Sequence, residues 1–186
     1  MLRIITGTAK GKRIETLEGE ATRPTSERIK EALFSSIQFD IEGRRVLDLF
    51  AGSGQLGLEA LSRGAVSVSF VDAEREAMEI VKRNARTTGF FDTCRYIVSD
   101  WRNYIRKASG KDKYDLVFVD PPYSMECCRD AALRLAEFGL LAPGALVVLE
   151  SGTEEFDPAE LQGFDVIKST HYGKKTFLNV LIYRGE

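Results

Sequence analysis

The tetrapeptide Asp120-Pro121-Pro122-Tyr123 directly follows the apolar run Leu116-Val117-Phe118-Val119. Its residue types suit the handling of an amino group on a flat heterocycle. Such a nitrogen is a poor nucleophile, because its lone pair is delocalised into the ring. Its two hydrogens need acceptors that hold them while the nitrogen pyramidalises toward an electrophile. The Asp120 carboxylate and the Pro121 carbonyl supply two such acceptors. Consecutive prolines stiffen the backbone and remove donors that would compete. Tyr123 adds a flat face on which a splayed-out base can stack. The matching chemistry is transfer of an already activated methyl group, for which a protein mainly has to position and desolvate. The plainer reading of the same residues is a rigid turn after a strand.

A second constellation, Asp48-Leu49-Phe50-Ala51-Gly52-Ser53-Gly54, lies between an apolar run and an amphipathic stretch. Glycines let a chain turn sharply and approach a ligand closely, and the start of a helix leaves amide donors facing outward. Asp72 ends the next apolar run, 18 residues after Gly54, where a carboxylate can accept both hydroxyls of a ribose. Gly52, Gly54 and Gly57 also satisfy the G-x-G-x-x-G dinucleotide pattern, so the loop alone does not separate a nicotinamide cofactor from S-adenosyl-L-methionine. Asp48 at the strand end suits a cationic cofactor rather than a pyrophosphate, and the Asp120 tetrapeptide points to the same choice. Asp100, with Trp101 beside it, follows a third apolar run. Its carboxylate either accepts from an adenine amino group or caps the helix that starts there. The cofactor-binding candidates are therefore Asp48, Gly52, Ser53, Gly54, Asp72, Asp100 and Trp101.

These residues need a scaffold, and the apolar pattern supplies one. Val46–Phe50, Val66–Val71, Tyr96–Val98, Leu116–Val119 and Ala145–Leu149 read as strands. Gln55–Arg63, Glu74–Thr88, Trp101–Lys107 and Met125–Phe138 read as the helices between them. Continuous apolar strands alternating with helices predict a parallel sheet covered on both faces, that is, a doubly wound Rossmann-like α/β fold. Phe164–Ser169 and Phe177–Tyr183, with no helix between them, predict an antiparallel hairpin at one edge. In a doubly wound sheet the first and fourth strands adjoin at the switch point, so their tips are expected to flank one crevice. Ahead of the sheet, Leu2–Ile5 and Arg13–Thr16 flank a turn with Gly7 and Gly11 and read as a short hairpin. Thr25 or Ser26 is the expected cap of a helix carrying Ile29, Leu33 and Ile37. The expectation is one domain over 1–186, with 1–43 as an N-terminal hairpin and helix extension.

Composition narrows the classes further. Twenty-six Lys and Arg stand against 28 Asp and Glu, a net charge of −2, so nucleic-acid binding has to rest on local patches rather than on the whole surface. Arg3, Lys10, Lys12 and Arg13 lie in an acid-free stretch, as do Lys168, His171, Lys174 and Lys175. No apolar run nears the ~18 residues of a membrane span, and the first 12 residues lack a signal-peptide core, so the expected location is cytoplasmic. Cys94, Cys127 and Cys128 make neither a disulfide framework nor a C-x-x-C zinc site, and no metal is expected. His171, the lone histidine, reads as a surface strand residue rather than a general base.

The two constellations occur in the order found among class I methyltransferases acting on base amino groups. The flanks resemble one family from end to end: Arg3-Ile4-Ile5-Thr6-Gly7, Gly11-Lys12, Arg23-Pro24-Thr25, Arg28-x-x-Glu31-Ala32-Leu33-Phe34 and Gly57 through Ala65. The chain resembles the RsmD family, the bacterial 16S ribosomal RNA guanine-N2 methyltransferases acting at guanine 966 in the conventional RNA numbering. The resemblance implies a class I sheet of order 3-2-1-4-5-7-6 with the seventh strand antiparallel. It also implies S-adenosyl-L-methionine as methyl donor and, as substrate, 16S rRNA within the 30S subunit or an assembly intermediate, with ribosomal proteins sharing in recognition. Asp120, Pro121 and Tyr123 are then the catalytic candidates. Gln55 departs from the pattern, standing where alanine is usual.

Lys10, Lys12 and Arg13 are candidates to grip phosphates, contacts that carry affinity without sequence information. Arg23 is a candidate to contact RNA or line the pocket; the alternative is that its segment only leads into the helix. A monomer is expected. Two other functions stay open at this stage: amino methylation of adenine or cytosine in DNA or another RNA, and a non-catalytic cofactor-binding assembly factor. The stretch of about 45 residues ahead of the sheet is short for a domain that reads DNA sequence.

Overall fold

Short apolar runs and amphipathic stretches alternate as strands and helices in a computed structural model of the chain, which describes residues 2–17, 24–153, 157–173 and 176–185. Two compact units are distinguished, Met1–Ser99 and Asp100–Glu186.

The first unit begins with β1 (Leu2–Arg3) and β2 (Arg13–Ile14), an antiparallel pair shorter than the hairpin expected. It is followed by α1 (Pro24–Ser36). The helix starts at Pro24, not after Thr25 or Ser26; proline's fixed φ and missing N–H suit a first helical turn, so Thr25 and Ser26 lie inside the helix instead of capping it. Ile29, Leu33 and Ile37 are buried. Then come β3 (Arg45–Asp48), α2 (Gln55–Ser62), β4 (Ser67–Asp72), α3 (Arg75–Thr88) and β5 (Cys94–Val98). Both strand pairs are parallel, in the order β5-β4-β3. The middles of β3 and β4 are covered on both faces, with Val46, Leu47, Phe70 and Val71 inaccessible to solvent, whereas β5, which carries Arg95, is only partly buried. Along α3 the buried positions Ala77, Met78, Val81 and Ala85 recur at helical spacing, one stripe facing the sheet.

In the second unit, α4 (Trp101–Ala108), β6 (Tyr114–Val119), α5 (Cys128–Glu137), β7 (Leu141–Ser151), β8 (Phe164–Tyr172) and β9 (Thr176–Tyr183) follow in turn. Here β6 and β7 run parallel, and β9 lies antiparallel between β7 and β8. The order β6-β7-β9-β8 is the 4-5-7-6 half of the expected arrangement, as β5-β4-β3 is its 3-2-1 half. The strands are those of a mixed seven-stranded sheet with flanking helices, a Rossmann-like α/β fold. The expected helix Met125–Phe138 starts later, at Cys128, because Pro122 to Met125 is used for a turn. Met125 N donates to the Pro122 carbonyl at 2.8 Å.

All three cysteines are free thiols. Among the described residues no helix is long and apolar enough to cross a membrane, and no cluster of His, Cys, Asp or Glu could hold a metal ion.

Candidate active site

The loop after β3 is held by carboxylates from two strand tips. Asp48, buried at the end of β3, accepts from Gly57 N at 3.1 Å. The helix α2 has glycine at its N-cap position and no side-chain cap of its own, so Asp48 satisfies a first-turn donor from outside the helix. Asp72, at the end of β4, accepts from Gly52 N through Oδ2 and from Glu74 N through Oδ1, both at 2.9 Å. One amide on each oxygen fixes the plane of the carboxylate. Four lone-pair sites then leave capacity for further donors, such as the two hydroxyls of a ribose.

The turn between them depends on glycine. Gly52 and Gly54 have φ of 52° and 80°, the left-handed region that side chains disfavour. Gly57 serves a different need: a Cβ there would lie 2.4 Å from Phe70 Cε1, so its absence lets α2 pack closely on β4. Ser53 is held through its carbonyl, which accepts from Asn84 Nδ2 at 2.8 Å. Its buried hydroxyl has no hydrogen-bond partner among the described residues. A buried orphan of this kind calls for an explanation, and a polar ligand in the loop provides one.

Asn84 and Glu59 do not stand out in the sequence, yet they tie the N-terminal segment to α3 and α2. Asn84, on α3, accepts from Glu15 N at 2.7 Å and donates to the Glu15 carbonyl at 3.0 Å. Glu59, fully buried on α2, accepts from Ile5 N and Thr6 N at 2.8 and 3.0 Å and is paired with Arg63 at 2.8 Å. Lys30 Nζ lies 3.9 Å from it, and burial pulls the Lys30 pKa down. A polar residue inside an otherwise apolar helical stripe was the available signal for both. Of the expected phosphate grips, Lys10 and Arg13 are exposed. Lys12 is also exposed but donates to the Thr88 carbonyl at 3.1 Å, so part of its charge serves the C-terminus of α3. Arg23 lies outside the described residues.

In the second unit, Asp100 caps α4: its Oδ1 accepts from Arg102 N at 3.0 Å and Asn103 N at 3.1 Å. Of the two roles weighed for Asp100, capping is the one the structure displays. Trp101 is buried, with the Arg102 guanidinium 4.3 Å over its ring. Asp120 is half-buried just beyond β6, Pro121 is buried, and Tyr123 is exposed. The Tyr123 hydroxyl donates to Glu150 Oε1 at 3.1 Å and pairs with Thr176 Oγ1 at 2.9 Å. Burial pushes the phenol up to about 12, so it stays protonated at neutral pH and serves as a donor. His171 is exposed on β8, its ring edge-on to Phe177 at 4.4 Å, as expected of a surface strand residue.

Comparison with known proteins agrees with this architecture. A family model described as "Conserved hypothetical protein 95" matches residues 2–181. The Haemophilus influenzae protein named ribosomal RNA small subunit methyltransferase D is 33% identical over 151 residues, covering 81% of this chain and 78% of its own. Bacillus subtilis YlbH, provisionally named an rRNA methyltransferase, is 32% identical over 98% of both chains. The solved structure of Escherichia coli yhhF, provisionally named a methyltransferase, superposes with a TM-score of 0.88 at 27% identity, covering 100% of this chain and 99% of its own. At 13% identity, the crystal structure of SMU.776 complexed with SAH shares the fold, with a TM-score of 0.68 over 85% of this chain and 49% of its own.

Proposed function

Because the chain belongs to the RsmD family and is therefore a methyltransferase, we propose that it methylates the N2 amino group of a guanine in 16S rRNA. The substrate in this reading is RNA within the 30S subunit or an assembly intermediate, with ribosomal proteins contributing to recognition. A ribosomal substrate fits an enzyme of the cytoplasm, acting in this reading as a monomer. Residues 1–186 are taken as one methyltransferase domain, with 1–43 as its extension.

The cofactor is S-adenosyl-L-methionine, and the first unit's residues fit it. Asp72 would hold the ribose, the Gly52-Ser53-Gly54 backbone would take the amino-acid part, and Asp48 would supply the negative charge that suits a cationic cofactor. Asp100 and Trp101 are assigned to the adenine end. When bound, the cofactor supplies an activated methyl group. The chain's own residues do the rest. The Asp120 carboxylate and the Pro121 carbonyl accept the two amino hydrogens, turning the nitrogen lone pair out of conjugation. Tyr123 stacks the extruded base. After transfer the nitrogen is acidic and loses its proton without a dedicated base. Lys10, Lys12, Arg13 and Arg23 contact phosphates.

The observation that carries this reading is the Asp120–Tyr123 segment, two acceptors on a proline-stiffened backbone followed by an exposed aromatic whose hydroxyl is pinned. The test uses labelled cofactor and small subunits purified from cells lacking the enzyme, followed by mass mapping of the RNA. Label on a single guanine, as N2-methylguanine, is expected. Label on adenine or cytosine, or on DNA in place of subunits, overturns the proposal.

A further inference from the structure

Tyr123 occupies the second position of the turn closed by Met125 N and the Pro122 carbonyl, at 2.8 Å. An aromatic side chain on a turn and 42% exposed would ordinarily sample several rotamers. Three contacts, all within the second unit, restrain this one. The hydroxyl is held twice, by Glu150 Oε1 and by Thr176 Oγ1. The ring's near side lies against Gly152, where a Cβ would come within 2.7 Å of both Tyr123 Cβ and Cγ.

The sheet explains why these three residues meet. Glu150 on β7 is registered with Leu178 on β9, and Ser151 with Phe177. Thr176 is thus the diagonal neighbour of Glu150, on the same face, and Gly152 is the next residue on that face. A carboxylate, a hydroxyl and a gap therefore form one receptor for the phenol at the ends of two strands. Thr176 is buried, and the Cys128 thiol donates to the Glu150 carbonyl at 3.4 Å, which helps hold that end of β7.

We propose that Glu150 and Thr176 are positioning residues that hold the Tyr123 ring as a pre-oriented platform for the target base. Neither touches substrate; both act through the phenol hydroxyl. Restraining the ring beforehand removes the entropy of ordering it when the base arrives. The proposal rests on the reading that Tyr123 stacks the base.

A double-mutant cycle tests it, with full-length protein, small subunits as substrate, and cofactor affinity measured by calorimetry. Tyr123→Phe keeps the ring and loses the hydroxyl, and Glu150→Ala removes the acceptor. Each is expected to lower kcat roughly tenfold, about the upper end of one hydrogen bond's net value, with cofactor affinity unchanged. The double variant is expected to be no slower than either single one, and Glu150→Gln, which keeps an acceptor, to recover most of the rate. Losses that multiply in the double variant would show that Glu150 acts independently of the hydroxyl and overturn the proposal. Thr176→Ser, expected to retain activity where Thr176→Val does not, checks the second contact in a variant that preserves the fold. Tyr123→Ala separates the two levels. If it is crippled while Tyr123→Phe and Glu150→Ala are fully active, only the clamp fails. If Tyr123→Ala is itself fully active, the stacking reading fails and the clamp with it.

Discussion

The loop after β3, proposed to hold the cofactor, and the turn after β6, proposed to hold the target base, both follow the tip of a buried parallel strand, but they are built differently. In the loop, strand-end carboxylates grip backbone: Asp48 takes Gly57 N, and Asp72 takes Gly52 N and Glu74 N. In the turn, the backbone is stiffened by Pro121 and Pro122, and the gripped group is a side chain, the Tyr123 hydroxyl. A loop that receives the same small molecule in every cycle gains from a fixed backbone with donors already aimed. A turn that receives a base pulled from a large RNA needs an exposed surface held in one orientation. The distinction predicts that damage in the loop appears as lost cofactor affinity or stability, and damage in the turn as lost rate.

The largest effect is expected from Asp120→Ala. It removes one of the two acceptors proposed for the amino hydrogens, and loss of one preorganised electrostatic partner typically costs about 10²- to 10³-fold in kcat. Cofactor affinity is expected to stay unchanged. Steady-state methylation of small subunits, paired with calorimetry, separates the two quantities. Retention of full activity would remove Asp120 from the mechanism.

Asp72→Ala reverses the pattern. Losing a carboxylate that anchors Gly52 and Glu74 and, in the proposed function, accepts from the ribose is expected to weaken cofactor binding by roughly 10- to 100-fold, the scale of charge-assisted hydrogen bonds. At saturating cofactor, kcat is expected to change only a few-fold. Unaltered affinity by calorimetry would mean that Asp72 serves the loop's shape alone, and the contrast between the two regions would lose its first half.

Much of this contrast is legible in the sequence, because acidic residues ending apolar runs are conspicuous: Asp48, Asp72 and Asp120 all stand out that way. Glu150 ends the run Ala145–Leu149 by the same pattern, so its site was in principle readable. Its partners were not. Thr176 and Gly152 come together only through the register of β7 with β9, and register depends on long-range pairing that no local spacing reveals. Asn84 and Glu59 were obscured for a related reason. Each sits among apolar helix positions as a single polar residue, and only the path of the N-terminal segment shows which backbone groups they satisfy. Helix α5 starts later than its periodicity suggests because a turn hydrogen bond at Pro122 outweighs helical propensity in Met125.

A smaller effect, and one confined to stability, is expected from Gly57→Ala. The new methyl would sit 2.4 Å from Phe70 Cε1 and 2.8 Å from Val68 Cγ1, so α2 must shift away from β4. Overpacking of this kind typically costs about 1–3 kcal/mol, a fall in Tm of roughly 2–10 °C for a chain of this size. Thermal melting followed by circular dichroism reads it directly. An unchanged Tm would show that the α2–β4 contact is loose, and that the loop's rigidity comes from Asp48 and Asp72 alone.

The smallest effect belongs to His171. A general base typically contributes 10²- to 10⁴-fold, and His171 is the chain's one histidine, so it is the natural suspect for proton removal. The chemistry argues otherwise. In the proposed reaction, methyl transfer makes the amino nitrogen cationic and strongly acidic, so its proton departs to water without a dedicated base. His171 is exposed on β8 with its ring edge against Phe177. His171→Ala is therefore expected to leave kcat within about twofold and the pH–rate profile unaltered between pH 6 and 8, the range about the ordinary histidine pKa. A hundredfold loss, or disappearance of an inflection in that range, would make the imidazole a proton acceptor. The turn's chemistry would then need a base as well as two acceptors.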